Sequence, residues 1–145
     1  MENEVNFRFV ERGDLSEVFL LLQQLSKIDY SGRNKDICWA QFISNNSSNS
    51  IVGLYKKRIV AYGSVVIENK IRGELSGHIE DIVIDKCIRN KKIGVKLINE
   101  LLKIAEDNKC YRVTLLCNDD LKKFYNKTGF IDTGIAMKKF ITYEL

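Results

Sequence analysis

A chain of 145 residues that is 45% apolar is long enough for one domain with its own core and too short for two, so a single domain over 1–145 is expected. Twenty-three basic and 19 acidic residues leave a formal charge of +4, which excludes the broad basic field of a nucleic-acid binder but leaves room for a local anion site. Proline is absent, no run of 18 apolar residues occurs, and the opening MENEVNFRFVERGD is too polar for a signal peptide, so a cytoplasmic protein without a membrane partner is expected.

Residues 5–10, VNFRFV, alternate and read as a first strand. A helix follows, with Asp14 as its N-cap and Leu15, Val18, Phe19, Leu22 and Leu25 at helical spacing. A second helix starts near Asp36 and is expected to bury Trp39 with Phe42 or Ile43, and SNNSSNS (44–50) is a solvated loop. SIVGLYKKRIVAYGSVVIE predicts two strands joined by a tight turn at YKKR, and GHIEDIVID (77–85) a third. The end of that third strand, Ile82-Val83-Ile84, is apolar on both faces and belongs inside a sheet. Ile93, Leu97, Ile98, Leu101, Leu102 and Ala105 form one helical stripe. YRVTLLC (111–117) predicts a buried strand, DDLKKFYNKTGF a short helix capped around Asp119 and closed by Gly129, and IAMKKFITYEL a final strand. The order βααβββαβαβ implies an α/β (α+β) domain with a mixed central sheet flanked by helices.

The four cysteines are irregularly spaced, form no CxxC pair and stand beside one histidine, His78, so buried free thiols are expected and no metal site. The junction VIDKCIRNKKIGVKL carries more chemistry. A helix N-terminus offers unpaired N–H groups and partial positive charge, and here Arg89, Lys91 and Lys92 precede a Gly94 that lets a ligand approach the backbone. That pattern suits a diphosphate-like anion, yet it matches neither GxGxxG nor GxxxxGK[ST], which counts against dinucleotide and ATP readings. A basic, solvated helix start is the alternative.

GHIEDIVID, the junction, CYR and FYNKTGF, taken together over residues 77–130, resemble the GNAT N-acetyltransferase superfamily, and within it the glucosamine 6-phosphate N-acetyltransferase family. The resemblance implies acetyl-CoA as cosubstrate, no metal, and a splayed central strand pair whose free edge takes the pantetheine. It also implies transfer of the acetyl group to the amine of D-glucosamine 6-phosphate on the path to UDP-N-acetylglucosamine, and a homodimer with the sugar site at its interface. Carried over by position, Ile82, Val83 and Ile84 offer main-chain groups to pantetheine, and the loop Arg89, Asn90, Lys91, Lys92, Ile93, Gly94 and Val95 binds the pyrophosphate. Glu80 and Asp81 match amino-sugar contacts, with Ile82 beside them; Tyr125 matches the tyrosine placed near the CoA sulfur, where a phenol can protonate the departing thiolate. Tyr111 and Arg112 match residues near the sugar phosphate; Ser26, Lys70, Lys138 and Lys139 align as further substrate contacts. Adjacent carboxylates on a strand point to opposite faces unless a bulge intervenes.

Three positions depart from the family pattern. Lys92 stands where the first glycine of the CoA loop is usual, Leu116 where the strand commonly carries a carboxylate, and Leu121 where an asparagine is common. Leucine cannot accept a proton, so any mechanism relying on that carboxylate fails here. Acetylation of another small-molecule or protein amine, and a non-catalytic CoA-binding module, are the alternative readings.

Overall fold

The computed structural model describes residues 4–142, leaving aside the side chains of 89–91. It divides into two compact units, Met1–Leu115 and Leu116–Leu145.

The first unit holds β1 (Asn6–Phe9), α1 (Leu15–Leu22), α2 (Lys35–Ser44), β2 (Ser48–Tyr55), β3 (Arg58–Asn69), β4 (Leu75–Ile84), α3 (Ile93–Asp107) and β5 (Arg112–Leu115). The strands form one sheet in the order β1-β2-β3-β4-β5, antiparallel except for the β4–β5 pair that α3 connects. The turn at YKKR is a two-residue hairpin in which Lys56 (φ 49°) and Lys57 (φ 64°) both adopt positive φ, the twist that suits two right-twisted strands. On one face, Val18 and Leu21 of α1 pack with Val52, Ile59 and Val83. On the other lie Ile93, Leu97, Ile98, Leu101 and Ala105 of α3, all buried, as the helical stripe predicts; Leu102 is only half-buried.

Asp14 does not cap α1. Its carboxylate accepts from Glu11 N (2.8 Å) and from both terminal nitrogens of Arg8 (2.7 and 2.9 Å), closing the 3-10 turn Arg12–Asp14 that precedes the helix. The second helix starts at Lys35, capped by Asn34, whose Oδ1 accepts from Ile37 N (3.1 Å). It buries no residue completely. Trp39 and Phe42 are half-buried with their rings tilted against each other (5.6 Å), and Ile43 is exposed; with Phe9 and Asn49 they line an open cleft of about 310 Å³. A helix that covers only the sheet edge at β1 and β2 keeps one side of its aromatics wet. The predicted buried strand at 111–117 is shorter and more exposed: β5 ends at Leu115, and Leu116 is 65% exposed. The free thiols are not buried as expected either: Cys87 and Cys117 are exposed, and Cys38 and Cys110 half-buried.

The second unit contains α4 (Lys122–Lys127), entered through a 3-10 turn at Asp119–Leu121 and closed by Gly129 at φ 97°. Neither Asp119 nor its neighbour Asn118 caps that entry through a side chain. No strand forms among the described residues after Leu116, which corrects the expectation for IAMKKFITYEL. Alternation gives that stretch strand propensity, but a strand exists only when a neighbour takes its backbone hydrogen bonds. Ile135, Met137 and Ile141 are 92%, 92% and 88% exposed.

Candidate active site

The register of β4 against β3 breaks at the carboxylates. Val83 faces Tyr62 and Glu80 faces Ser64, so Asp81 and Ile82 together stand opposite Gly63 alone. This is a β-bulge, and Asp81 takes the left-handed conformation (φ 56°) that accommodates the extra residue. Asp is one of the few side chains for which that conformation is common. The bulge leaves Glu80 and Val83 on the α1 face, while Ile82 turns toward α3. Gly63 makes that possible: a Cβ there would lie 2.7 Å from Ile82 Cδ1 and 3.0 Å from Leu101 Cδ1.

Directly across from Glu80, the hydroxyls of Ser64 and Ser50 are 2.8 Å apart, and Tyr62 Oη donates to Ser50 Oγ (2.9 Å). Burial raises the Tyr62 pKa, which keeps its hydroxyl a donor. Packing around the carboxylate of Asp81 raises its pKa, and the neighbouring Glu80 charge adds to the effect, although the side chain still reaches solvent. Along the same face of β4, His78 and Ser76 meet β5: His78 Nδ1 lies 2.8 Å from Thr114 Oγ1, and Arg112 Nε donates to Ser76 Oγ (3.3 Å). One polar stripe results, running from Glu80 through His78–Thr114 to Ser76–Arg112.

At the Arg112 end, the Tyr111 ring lies between two guanidiniums, Arg112 at 5.2 Å and Arg72 at 5.6 Å from its centroid, and Arg72 also donates to Tyr111 Oη (2.7 Å). At the Glu80 end the sheet opens. β5 pairs with β4 only over Ser76–Ile79, so among the described strands none pairs with Glu80–Ile84 on that side. The main-chain groups of that edge suit an amide-bearing chain that adds as a strand. Val83 is buried in the α1 cluster, Ile82 and Ile84 are half-buried, and all three keep this edge in place.

Past β4, residues 86–91 form a 3-10 turn, begun where Asp85 Oδ1 accepts from Cys87 N (3.1 Å). Lys92 then turns the chain into α3 with φ 56° and ψ 26°. Lysine thus holds the left-handed dihedral of the glycine usual at this point. Among the described residues no side chain caps α3, and its first-turn N–H groups at Ile93, Gly94 and Val95 suit an anion. The side chains of Arg89 and Lys91, expected to add charge, and that of Asn90 lie outside the described residues.

The remaining candidates scatter. Ser26 follows α1, its hydroxyl 3.2 Å from Tyr30 Oη. Lys70 sits at the β3–β4 turn beside Glu68 (3.4 Å). Tyr125, Leu121, Lys138 and Lys139 belong to the second unit. There Tyr125 is buried, with Phe124 and Phe130 edge-on at 4.9 and 6.0 Å; burial, then nearby Cys117, raises its pKa and keeps the phenol protonated. Lys138 and Lys139 are exposed, the former lying 5.5 Å from the Phe140 ring. His78, Thr114 and Arg72 were not anticipated as site residues. The i, i+2 spacing of His78 and Glu80 on a strand does carry the signal for the first. Arg72 reaches Tyr111 across 39 residues, which no local pattern reports.

The model of the acetyltransferase (GNAT) family matches residues 17–130. The chain belongs to the GNAT family. This GNAT chain is 31% identical over 142 residues to a probable glucosamine 6-phosphate N-acetyltransferase of Oryza sativa, an alignment spanning 92% of this chain and 86% of the rice protein. It is 41% identical over 81 residues to the glucosamine 6-phosphate N-acetyltransferase of Candida albicans, covering 54% of each. The crystal structure of glucosamine-6-phosphate N-acetyltransferase from Arabidopsis thaliana superposes with a TM-score of 0.87 at 30% identity, covering 97% of this chain and all of that one.

Proposed function

We propose that this GNAT enzyme transfers the acetyl group of acetyl-CoA to the amine of D-glucosamine 6-phosphate, giving N-acetyl-D-glucosamine 6-phosphate and CoA. The observation that carries the reading is the polar stripe on β4. Carboxylates stand at one end, beside the open edge, and paired guanidiniums at the other. Glu80 and Ser76 are four residues apart, about 13 Å of strand, which long arginine side chains and a hexose phosphate bridge together. Glu80 holds the cationic amine, and Arg112, Arg72 and Tyr111 take the phosphate dianion, with Lys70, Ser26, Lys138 and Lys139 as further substrate contacts.

The edge residues Ile82, Val83 and Ile84 bind pantetheine through main-chain hydrogen bonds, and residues 89–95 bind the pyrophosphate. The amine loses a proton and attacks the thioester carbonyl, whose oxygen is held by a backbone N–H of that edge. Asp81, with its raised pKa, is a stronger base than an ordinary surface carboxylate and receives that proton. Tyr125, on its family match and its protonated state, gives a proton to the CoA thiolate.

The same reading includes a single domain, supported by a family match that runs through both units, and a cytoplasmic enzyme supplying UDP-N-acetylglucosamine formation. It also includes a homodimer, supported by the exposed apolar residues Ile135, Met137 and Ile141. The exposed Leu116, where relatives carry a carboxylate, favours a second reading, a CoA-binding module without turnover. Thiol release from acetyl-CoA, measured with glucosamine 6-phosphate, glucosamine and a peptide amine in parallel, separates the two. Release with the phosphorylated sugar alone is expected; acetyl-CoA binding without release from any amine would replace this reading with the second.

A further inference from the structure

We propose that His78 is a positioning residue that, locked by Thr114, orients the Glu80 carboxylate toward the acceptor amine. The inference deepens the amino-sugar reading above and rests on it for the identity of the amine. Parallel register places His78 beside Thr114 on the α1 face of the sheet, and its two ring nitrogens have different partners. Nδ1 lies 2.8 Å from Thr114 Oγ1; Nε2 lies 3.4 Å from Glu80 Oε1.

A neutral imidazole carries one ring proton, and the hydrogen bond at one nitrogen decides where it sits. With the threonine hydroxyl donating to Nδ1, the ring proton is on Nε2, the nitrogen that stands 3.4 Å from Glu80 Oε1 as an electrostatic contact. The opposite tautomer would set a lone pair against a carboxylate. Glu80, an acceptor only, therefore favours the proton on Nε2, Thr114 holds the ring plane by donating to Nδ1, and Glu80 Oε2 is left for the substrate ammonium. The need for such a support is local. Glu80 is 55% exposed at its side chain and has a second carboxylate as its chain neighbour, so an unsupported side chain would sample many rotamers.

His78 is the chain's only histidine, so tag-free protein labelled with ¹⁵N-histidine gives a single imidazole spectrum. The expected signature is the Nε2–H tautomer with a hydrogen-bonded Nδ1 in the wild type, a shifted Nδ1 resonance in Thr114→Val, and the wild-type shift regained in Thr114→Ser. This readout needs no turnover and stands whatever the acceptor proves to be. A Thr114→Val spectrum identical to wild type would overturn the proposal.

Steady-state kinetics supply the second arm, with glucosamine 6-phosphate or whichever amine the wild type acetylates. His78→Ala and Thr114→Val should each raise KM for the amine about two- to fivefold, the scale of one exposed ionic contact, with KM for acetyl-CoA unchanged. Thr114→Ser should restore the wild-type value, and His78→Ala should add little to Glu80→Gln. Unchanged amine KM in His78→Ala, or full additivity with Glu80→Gln, would refute the role. Thr114 is exposed, so its variants test the idea even where a His78 variant folds poorly.

Discussion

Lys92→Gly separates two contributions that one lysine makes at the mouth of α3. The residue sits at φ 56°, ψ 26° and is exposed, so its backbone carries the cost of a left-handed L-residue without packing in return. That cost is about 1–2 kcal/mol, of which glycine returns about 0.5–1 kcal/mol through its larger unfolded-state entropy. The net expectation is a gain of about 0.5–1 kcal/mol. For a chain of this size that raises Tm by about 1–4 °C. Lys92→Ala is the control, since it removes the same charge but keeps the strain and should leave Tm near wild type. Both variants should weaken acetyl-CoA binding by about two- to fivefold in low salt, the value of one exposed charge facing an anion, and the loss should shrink as salt rises. Circular-dichroism melts and calorimetric titration with acetyl-CoA measure the two effects. A Lys92→Gly variant no more stable than Lys92→Ala would refute the claim that this dihedral is strained.

Asp14→Ala should cost about 2 kcal/mol, because it strips two charge-assisted bonds from Arg8 and one acceptor from Glu11 N. Its hydrogen bond with Arg8 lowers the Asp14 pKa, so the stability it adds is present above the ordinary carboxylate pKa and fades as pH falls through the folded value; melts of wild type and variant should converge in acid. Asp81 has the opposite sign. Its raised pKa means that the ionised form costs stability above the folded pKa and nothing below the unfolded one, so Asp81→Asn should raise Tm at pH 7 and lose that gain in acid. The same variant should lower kcat with little change in acetyl-CoA affinity. Tyr125→Phe should lower kcat about a hundredfold while acetyl-CoA binding is kept, and unchanged turnover in a single-turnover assay would remove the phenol from the chemistry.

Elements whose signal is internal were legible. The α3 stripe needs only its own period, and the YKKR hairpin needs only two alternating runs and a short polar joint. The carboxylate pair was legible as chemistry, but not its geometry. Whether Glu80 and Asp81 share a face depends on one residue of excess against Gly63, nearly twenty positions earlier, and on Ile82 finding room beside Leu97 and Leu101. Elements that depend on a partner were misjudged. Trp39 and Phe42 are apolar enough for a core, yet α2 lies where the sheet gives it an edge rather than a face. The C-terminal alternation describes a strand in want of a neighbour.

The three departures from the family pattern fall into two kinds with different consequences. A cofactor held by main-chain groups tolerates side-chain change wherever the dihedral survives, and Lys92 keeps the left-handed turn that glycine would supply. Proton transfer by a side chain has no such tolerance, because the leucine side chain at 116 offers no lone pair in any conformation. In the proposed function, the task of holding and deprotonating the amine then falls to groups the bulge already brings together. Glu80 and Asp81 are covalent neighbours in different environments, one flanked by an imidazole and one raised in pKa by its surroundings and by the first. Two like groups driven apart in this way can divide binding from proton acceptance. On this account the bulge does more than open the sheet for pantetheine: it sets the electrostatic difference on which acyl transfer without the missing carboxylate depends.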